Sequence, residues 1–324
     1  MRLLSRRSGF HIVVALLTDA PPESSMPRML ALVATILLTL PLAAQTSPAI
    51  TVDPVQDKAH PASMEAFQLP SHGSLLNALM YEAAGAGPHK TVVLLHGFPG
   101  NEKNLDLAQA MRRDGWNVLY FDYRGSWGTP GSFSFAHCME DAQSALAYLR
   151  DPANASRLRV NPEEIALVGH SMGSMIALYT AAHDEKVLEV EAISAANMAG
   201  MAMLPPGAPA EAREQLLAGV SKALAAEGMA PLAGCTPEGL AAELMAHPEW
   251  SFASDAPGLK SKPTLILTSD DGLAPSAEKL AATIRAEGNQ HIKIVHMSTD
   301  HSYSDKRIAV EEEILGGLDS LKLP

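Results

Sequence analysis

A chain of 324 residues, 47% hydrophobic and 19% charged, holds enough apolar side chains for one sizeable α/β domain or two small ones and is not a disordered composition. The formal net charge of −12, with no run rich in Lys and Arg, excludes a phosphate-binding surface, so no nucleic-acid partner is expected. Cys138 and Cys235 lie far apart and lack CxxC or Cys/His neighbours, so they are read as separate thiols, and neither a metal site nor a cofactor is expected.

The chain opens with what reads as targeting sequence. "MPRMLALVATILLTLPLAAQ", from Met26, has one Arg, an apolar run and a small-residue end, the layout of a signal peptide cleaved between Ala44 and Gln45. The apolar run is shorter than the roughly 20 residues a spanning helix needs. A periplasmic or secreted protein is therefore expected, touching membrane only through this segment if it is uncleaved. Residues 1–25 read as a start-site artefact. The expected organisation is a targeting segment at 1–44, a linker at 45–62 and one domain at 63–324.

Within the domain, "MEAFQLPSHGSLLNALMYEA" predicts two strands around a Gly-containing turn. "KTVVLLH" and "WNVLYFD" predict strands separated by the amphipathic helix "NEKNLDLAQAMRRDG". A helix "HCMEDAQSALAYLRD" follows, ended by Pro152. Strands are then expected at "EIALVG", "EVEAIS", "TLILTS" and "IKIVHM", and helices at "MGSMIALYTAAH", "SAEKLAATIRAEG" and "KRIAVEEEILGGLDSL". This alternation predicts an α/β fold with a mostly parallel, mixed sheet covered by helices on both faces. Residues 197–262, rich in Ala, Met, Gly and Pro, break the pattern and are read as a small helical cap. Met198, Met201, Met203, Met229 and Met245 are expected to give its inner face adaptable apolar cover.

"IALVGHSMGSMIAL" places Ser171 between a strand and a helix, flanked by Gly169 and Gly173. G-x-S-x-G in that context is a nucleophile elbow, where small residues let the chain reverse and the serine stand above the sheet. A serine hydroxyl needs a base and a home for the oxyanion it creates. "VVLLHGFPG" ends a strand in His96-Gly97, so the backbone N–H groups of Phe98 and Met172 are the expected oxyanion donors. His301, in the loop after the last strand, is preferred as base over His296 inside that strand. Asp270 and Asp271 both follow the "TLILTS" strand and are candidate acids.

The order Ser171, Asp, His301, with "LLHGFPG", "FDYRGSWGTPGS", "VGHSMGS", "LTSDDGLAP" and "TDHSYSDKR", resembles the α/β-hydrolase superfamily of serine hydrolases from about Ser63 onward. "FDYRGSWGTPG" is also similar to a loop of prolyl-oligopeptidase-type peptidases, whose large propeller this chain lacks. The resemblance implies a triad of Ser171, Asp271 and His301, Asp271 being four residues before Pro275, with Asp270 left as a turn residue. It implies hydrolysis of small carboxylic esters through an acyl-enzyme, with short-peptide cleavage as the enzymatic alternative. A catalytically inactive binding protein of the same fold is the alternative outside enzymology.

Overall fold

The computed structural model describes residues 47–320; the targeting segment expected at 1–44 lies outside them. Eight strands form one sheet: β1 (Ser63–Ser71), β2 (Ser74–Glu82), β3 (His89–Leu95), β4 (Asn117–Phe121), β5 (Val160–His170), β6 (Val187–Ile193), β7 (Thr264–Thr268) and β8 (Ile292–His296). Their order is β1-β2-β4-β3-β5-β6-β7-β8. The first hairpin is antiparallel and β2 meets β4 antiparallel; all later pairs are parallel.

Seven longer helices accompany the sheet: α1 (Leu105–Arg113), α2 (Phe135–Arg150), α3 (Met172–His183), α4 (Ala210–Ala226), α5 (Pro237–Ala246), α6 (Ala274–Ala286) and α7 (Arg307–Ser320). Strand side chains alternate between faces, so Val93, Leu95, Ile165 and Leu167 pack with α2, α3 and α6. Val92, Leu94, Ala166 and Val168 pack with α1 and α7 on the other face. Both faces are thus covered, which explains the near-continuous apolar runs of β3 to β7. Among the described residues no helix is long and apolar enough to cross a membrane.

Two expectations need correction. Pro152 does not simply end α2: Asp151 caps a further short helix, Pro152–Arg157, for which Pro at the first turn is favourable. Within the linker, Pro48–Thr51 form a helical turn with Ala49 buried and Ser47 bonded to Asp114. The cap is also narrower than 197–262. Phe252, Ala256 and Leu259 are buried in the main core, and Gly258 lies against Ala182 of α3, so residues 252–259 belong to the body.

What remains of the cap, chiefly α4 and α5, is fastened to the body on one side. Leu232 bridges Ser126 in antiparallel fashion, and Phe133 N–H donates to the Ala233 carbonyl at 2.9 Å. Glu243 of α5 accepts the N–H groups of Phe135 and Ala136, both at 3.0 Å. A carboxylate there meets the positive end of the α2 dipole and two donors with no partner in their own helix.

Candidate active site

The strand-to-helix junction that carries Ser171 is strained. Ser171 has φ 57° and ψ −118°, a conformation non-glycine residues rarely adopt. A Cβ at Gly173 would stand 2.1 Å from the Leu95 carbonyl oxygen, and one at Gly169 would stand 2.3 Å from that of Gly173. Only glycine fits either position, so β3, β5 and α3 converge tightly beneath the serine. Ser171 N–H donates to Ile193 at 2.8 Å and its carbonyl accepts from Ala196 at 3.2 Å, tying the turn to the end of β6. Met172 is the first helical residue, so its N–H has no acceptor within α3.

Two further loops reach the same place. Asp271 follows β7 and His301 follows β8, and His301 Nδ1–H donates to Asp271 Oδ2 at 2.8 Å. That bond fixes the proton on Nδ1 and leaves Nε2 as the basic nitrogen. Ser171, Asp271, His301 and Phe98 all line one cavity of about 480 Å³. Burial pushes the Asp271 carboxyl up. Hydrogen bonds from His301, the Leu273 N–H and the Ser194 and Ser269 hydroxyls outweigh it and hold the carboxyl below its ordinary range.

Asp270 points elsewhere. Its carboxylate accepts from Ser298 Oγ and from His296 Nε2, the latter at 3.1 Å, rather than from backbone N–H groups as a turn residue would. His296 is correspondingly exposed at the end of β8 and is not packed in the core. The cap methionines also divide. Met198 and Met201 line the cavity with Val220, Leu224, Leu244 and Leu273, whereas Met203 and Met245 line a separate hollow of about 250 Å³. Met229 packs against the core instead.

Several further residues shape this place. His170 is buried beside the elbow, and its Nε2–H donates to the His301 carbonyl at 2.9 Å. Ser194 Oγ lies 3.0 Å from Ser269 Oγ and 3.1 Å from Tyr303 Oη, joining the ends of β6 and β7 to the His301 loop. Arg307 grips the same loop from behind. It donates to the Ser302 carbonyl at 3.1 Å and to both Asp106 oxygens of α1 at 2.7 Å. Arg124, in the "FDYRGSWGTPG" loop, donates to Asp141 of α2 at 2.7 Å, so that motif is fastened by a buried ion pair. His96 serves the loop holding Phe98: its Nδ1–H donates to the Gly97 carbonyl at 2.8 Å.

Burial pushes both His96 and His170 down to about 4, so both imidazoles are neutral near pH 7. Unfolded histidines titrate near 6.5. The unfolded chain therefore takes up protons first as pH falls. Stability is complete above about pH 6.5 and is lost towards pH 4, by ~3 kcal/mol per residue. Urea titrations at pH 7.5 and 4.5 should show a drop of several kcal/mol, and equal stabilities at both would contradict this account.

Among the described residues no cluster of three or more His, Cys, Asp or Glu could hold a metal ion, and both cysteines are free thiols.

Comparison with known proteins bears on the fold. The family described as alpha/beta hydrolase fold matches residues 90–226. An uncharacterized protein of Mycobacterium tuberculosis is 33% identical over 99 residues, 30% of this chain and 33% of that protein. YfhR of Salmonella typhimurium, also uncharacterized, is 33% identical over 94 residues, 29% of this chain and 30% of its own. The matched stretch thus spans about a third of these relatives' length. Among solved structures, the carboxylesterase EstE1 from a metagenomic library superposes with TM-score 0.57 at 19% identity, covering 82% of this chain and 91% of that one. Est1E of Butyrivibrio proteoclasticus, solved with ferulic acid, superposes with TM-score 0.58 at 15% identity, covering 77% and 96%. By sheet order, helical cover and these matches, the chain has the α/β-hydrolase fold.

Proposed function

We propose that this protein is a serine hydrolase that cleaves carboxylic esters through an acyl-enzyme. The observation that carries this reading is the meeting, at one largely apolar cavity, of a serine in a strained turn with a histidine whose Nδ1–H is held by a carboxylate. His301 Nε2 takes the Ser171 proton as Oγ bonds to the ester carbonyl carbon and the π pair moves onto oxygen. The Phe98 and Met172 N–H groups stabilise that oxyanion, each worth roughly 3–4 kcal/mol. As the pair returns, the bond to the leaving alkoxide breaks and His301 supplies its proton. A water deprotonated by the same imidazole then releases the acid and restores Ser171.

Esters are favoured over peptides because the apolar cavity offers a place for an acyl chain, and carboxylesterases share the fold. Export, expected from residues 26–44, belongs to the same proposal. A fluorophosphonate probe on protein recovered outside the cytoplasm should label Ser171 in a chain starting near Gln45. A panel of short esters and matched amides should then show ester turnover well ahead of amide. Labelling elsewhere, or no labelling of folded protein, would point to a binding role; dominant amide cleavage would point to a peptidase.

A further inference from the structure

Two cavities of opposite character meet at Ser171. The larger, of about 480 Å³, is apolar apart from the residues of the proposed triad and Glu227. The smaller, of about 150 Å³, shares Phe98, Ser171, Glu227 and His301 with it and extends along residues 97–102. At ~30 Å³ per water it has room for about five water-sized groups. Apolar walls suit an acyl chain, which leaves the small cleft for the alcohol side of the ester.

The acidic side chains on that cleft are Glu102 and Glu227, and no Lys or Arg is among its lining residues. Glu102 is held in place, since its Oε1 accepts the Asn104 N–H at 2.7 Å. The adjacent cation is directed away: Lys103 Nζ donates to Asp122 at 2.8 Å and stands over the Trp127 ring at 4.5 Å. A third acceptor is built into the wall. His170 lines the cleft, is 3% exposed, and gives its Nε2–H to the His301 carbonyl. Its Nδ1, buried beside Gly97, therefore keeps a lone pair that has no hydrogen-bond partner among the described residues.

Two carboxylates on the cleft that holds Ser171 oppose reaction of a neutral ester, because a like charge developing in the same cleft raises the transition state. A leaving group that brings its own positive charge and an N–H donor reverses that effect. We infer that the small cleft is a leaving-group site for a compact ammonium, and that the preferred substrates are amino-alcohol esters of apolar acids. This rests on the serine-hydrolase reading and names its substrate class.

The test compares dimethylaminoethyl hexanoate, protonated near neutral pH, with isopentyl hexanoate, which has the same shape and no charge. The ratio of their kcat/KM values is measured in the wild type and in Glu102→Gln/Glu227→Gln. Comparing ratios cancels the intrinsic reactivity of each ester. The double variant should lower the cationic-to-neutral ratio by about tenfold, and added salt should lower it in the wild type but not in the variant. A thermal melt and fluorophosphonate titration of both proteins establish equal folding and equal numbers of reactive sites. If both are labelled and both esters turn over with a ratio the variant leaves unmoved, the leaving-group site is refuted while the hydrolase reading stands. If folded wild type neither labels nor hydrolyses either ester, both fall together.

Discussion

Ser171→Ala is expected to lower kcat by about 10⁶ on any ester the protein hydrolyses, with little change in melting temperature. The two halves of that expectation have separate grounds. Loss of Oγ removes the nucleophile, and neither His301 nor the oxyanion donors can replace the covalent step. The hydroxyl makes no capping bond to α3, and the turn is held instead by the Ser171 N–H to Ile193 and by two flanking glycines. Alanine meets the same backbone strain that serine already bears. Burst kinetics with an activated ester measure the first half and calorimetry the second. An active, folded Ser171→Ala protein would remove Ser171 from the chemistry.

Asp271→Asn should cost about 10⁴ in kcat, whereas Asp270→Asn should cost less than about tenfold. The amide would keep the shape of the contact but offers an N–H to His301 Nδ1, favouring the tautomer with its proton on Nε2, where the lone pair is needed. Asp270 has its own partners, Ser298 and His296, on the exposed edge of the sheet, and no hydrogen bond joins it to His301. Its loss should therefore act on the local loop. Because Asp271 is held below the ordinary carboxylate range, it stays ionised through mildly acidic pH, and any loss of rate there must come from another group. Steady-state kinetics on the two single variants decide the matter; a reversed pair of results would move the acid to Asp270.

Much of this arrangement was legible in the sequence. The central strands read clearly because most of their residues on both sides are apolar, and turn residues mark their ends. Ser171 was legible because a nucleophile elbow is a local device: its glycines, strand and helix are neighbours in the chain. Choosing Asp271 over Asp270 took the resemblance, because two adjacent residues diverge only once the loop has a path. His170, Ser194, Ser269 and Tyr303 escaped notice for a related reason. Their contacts join loops up to 131 residues apart, and Ser194 and Tyr303 adopt positive φ values of 44° and 56° that no serine or tyrosine announces. The cap boundary was overextended because Phe252 to Leu259 is a short helical stretch whose composition matches the cap, while its apolar side chains face the main core.

The fastening of α5 sets which parts of the cap are free to diverge. Glu243 closes the exposed end of α2, and residues 231–233 complete the loop that carries Arg124, so this half is as much chassis as lid. Of α4, only Ser221 and Leu224 are buried, and it carries Val220 and Leu224 into the larger cavity. Natural drift and laboratory recombination should therefore rewrite residues 203–226 freely, retuning what enters the cavity, while a graft that spans 229–246 must import its own stopper for α2. Swap libraries cut at Gly228 would keep the foundation and exchange only the roof.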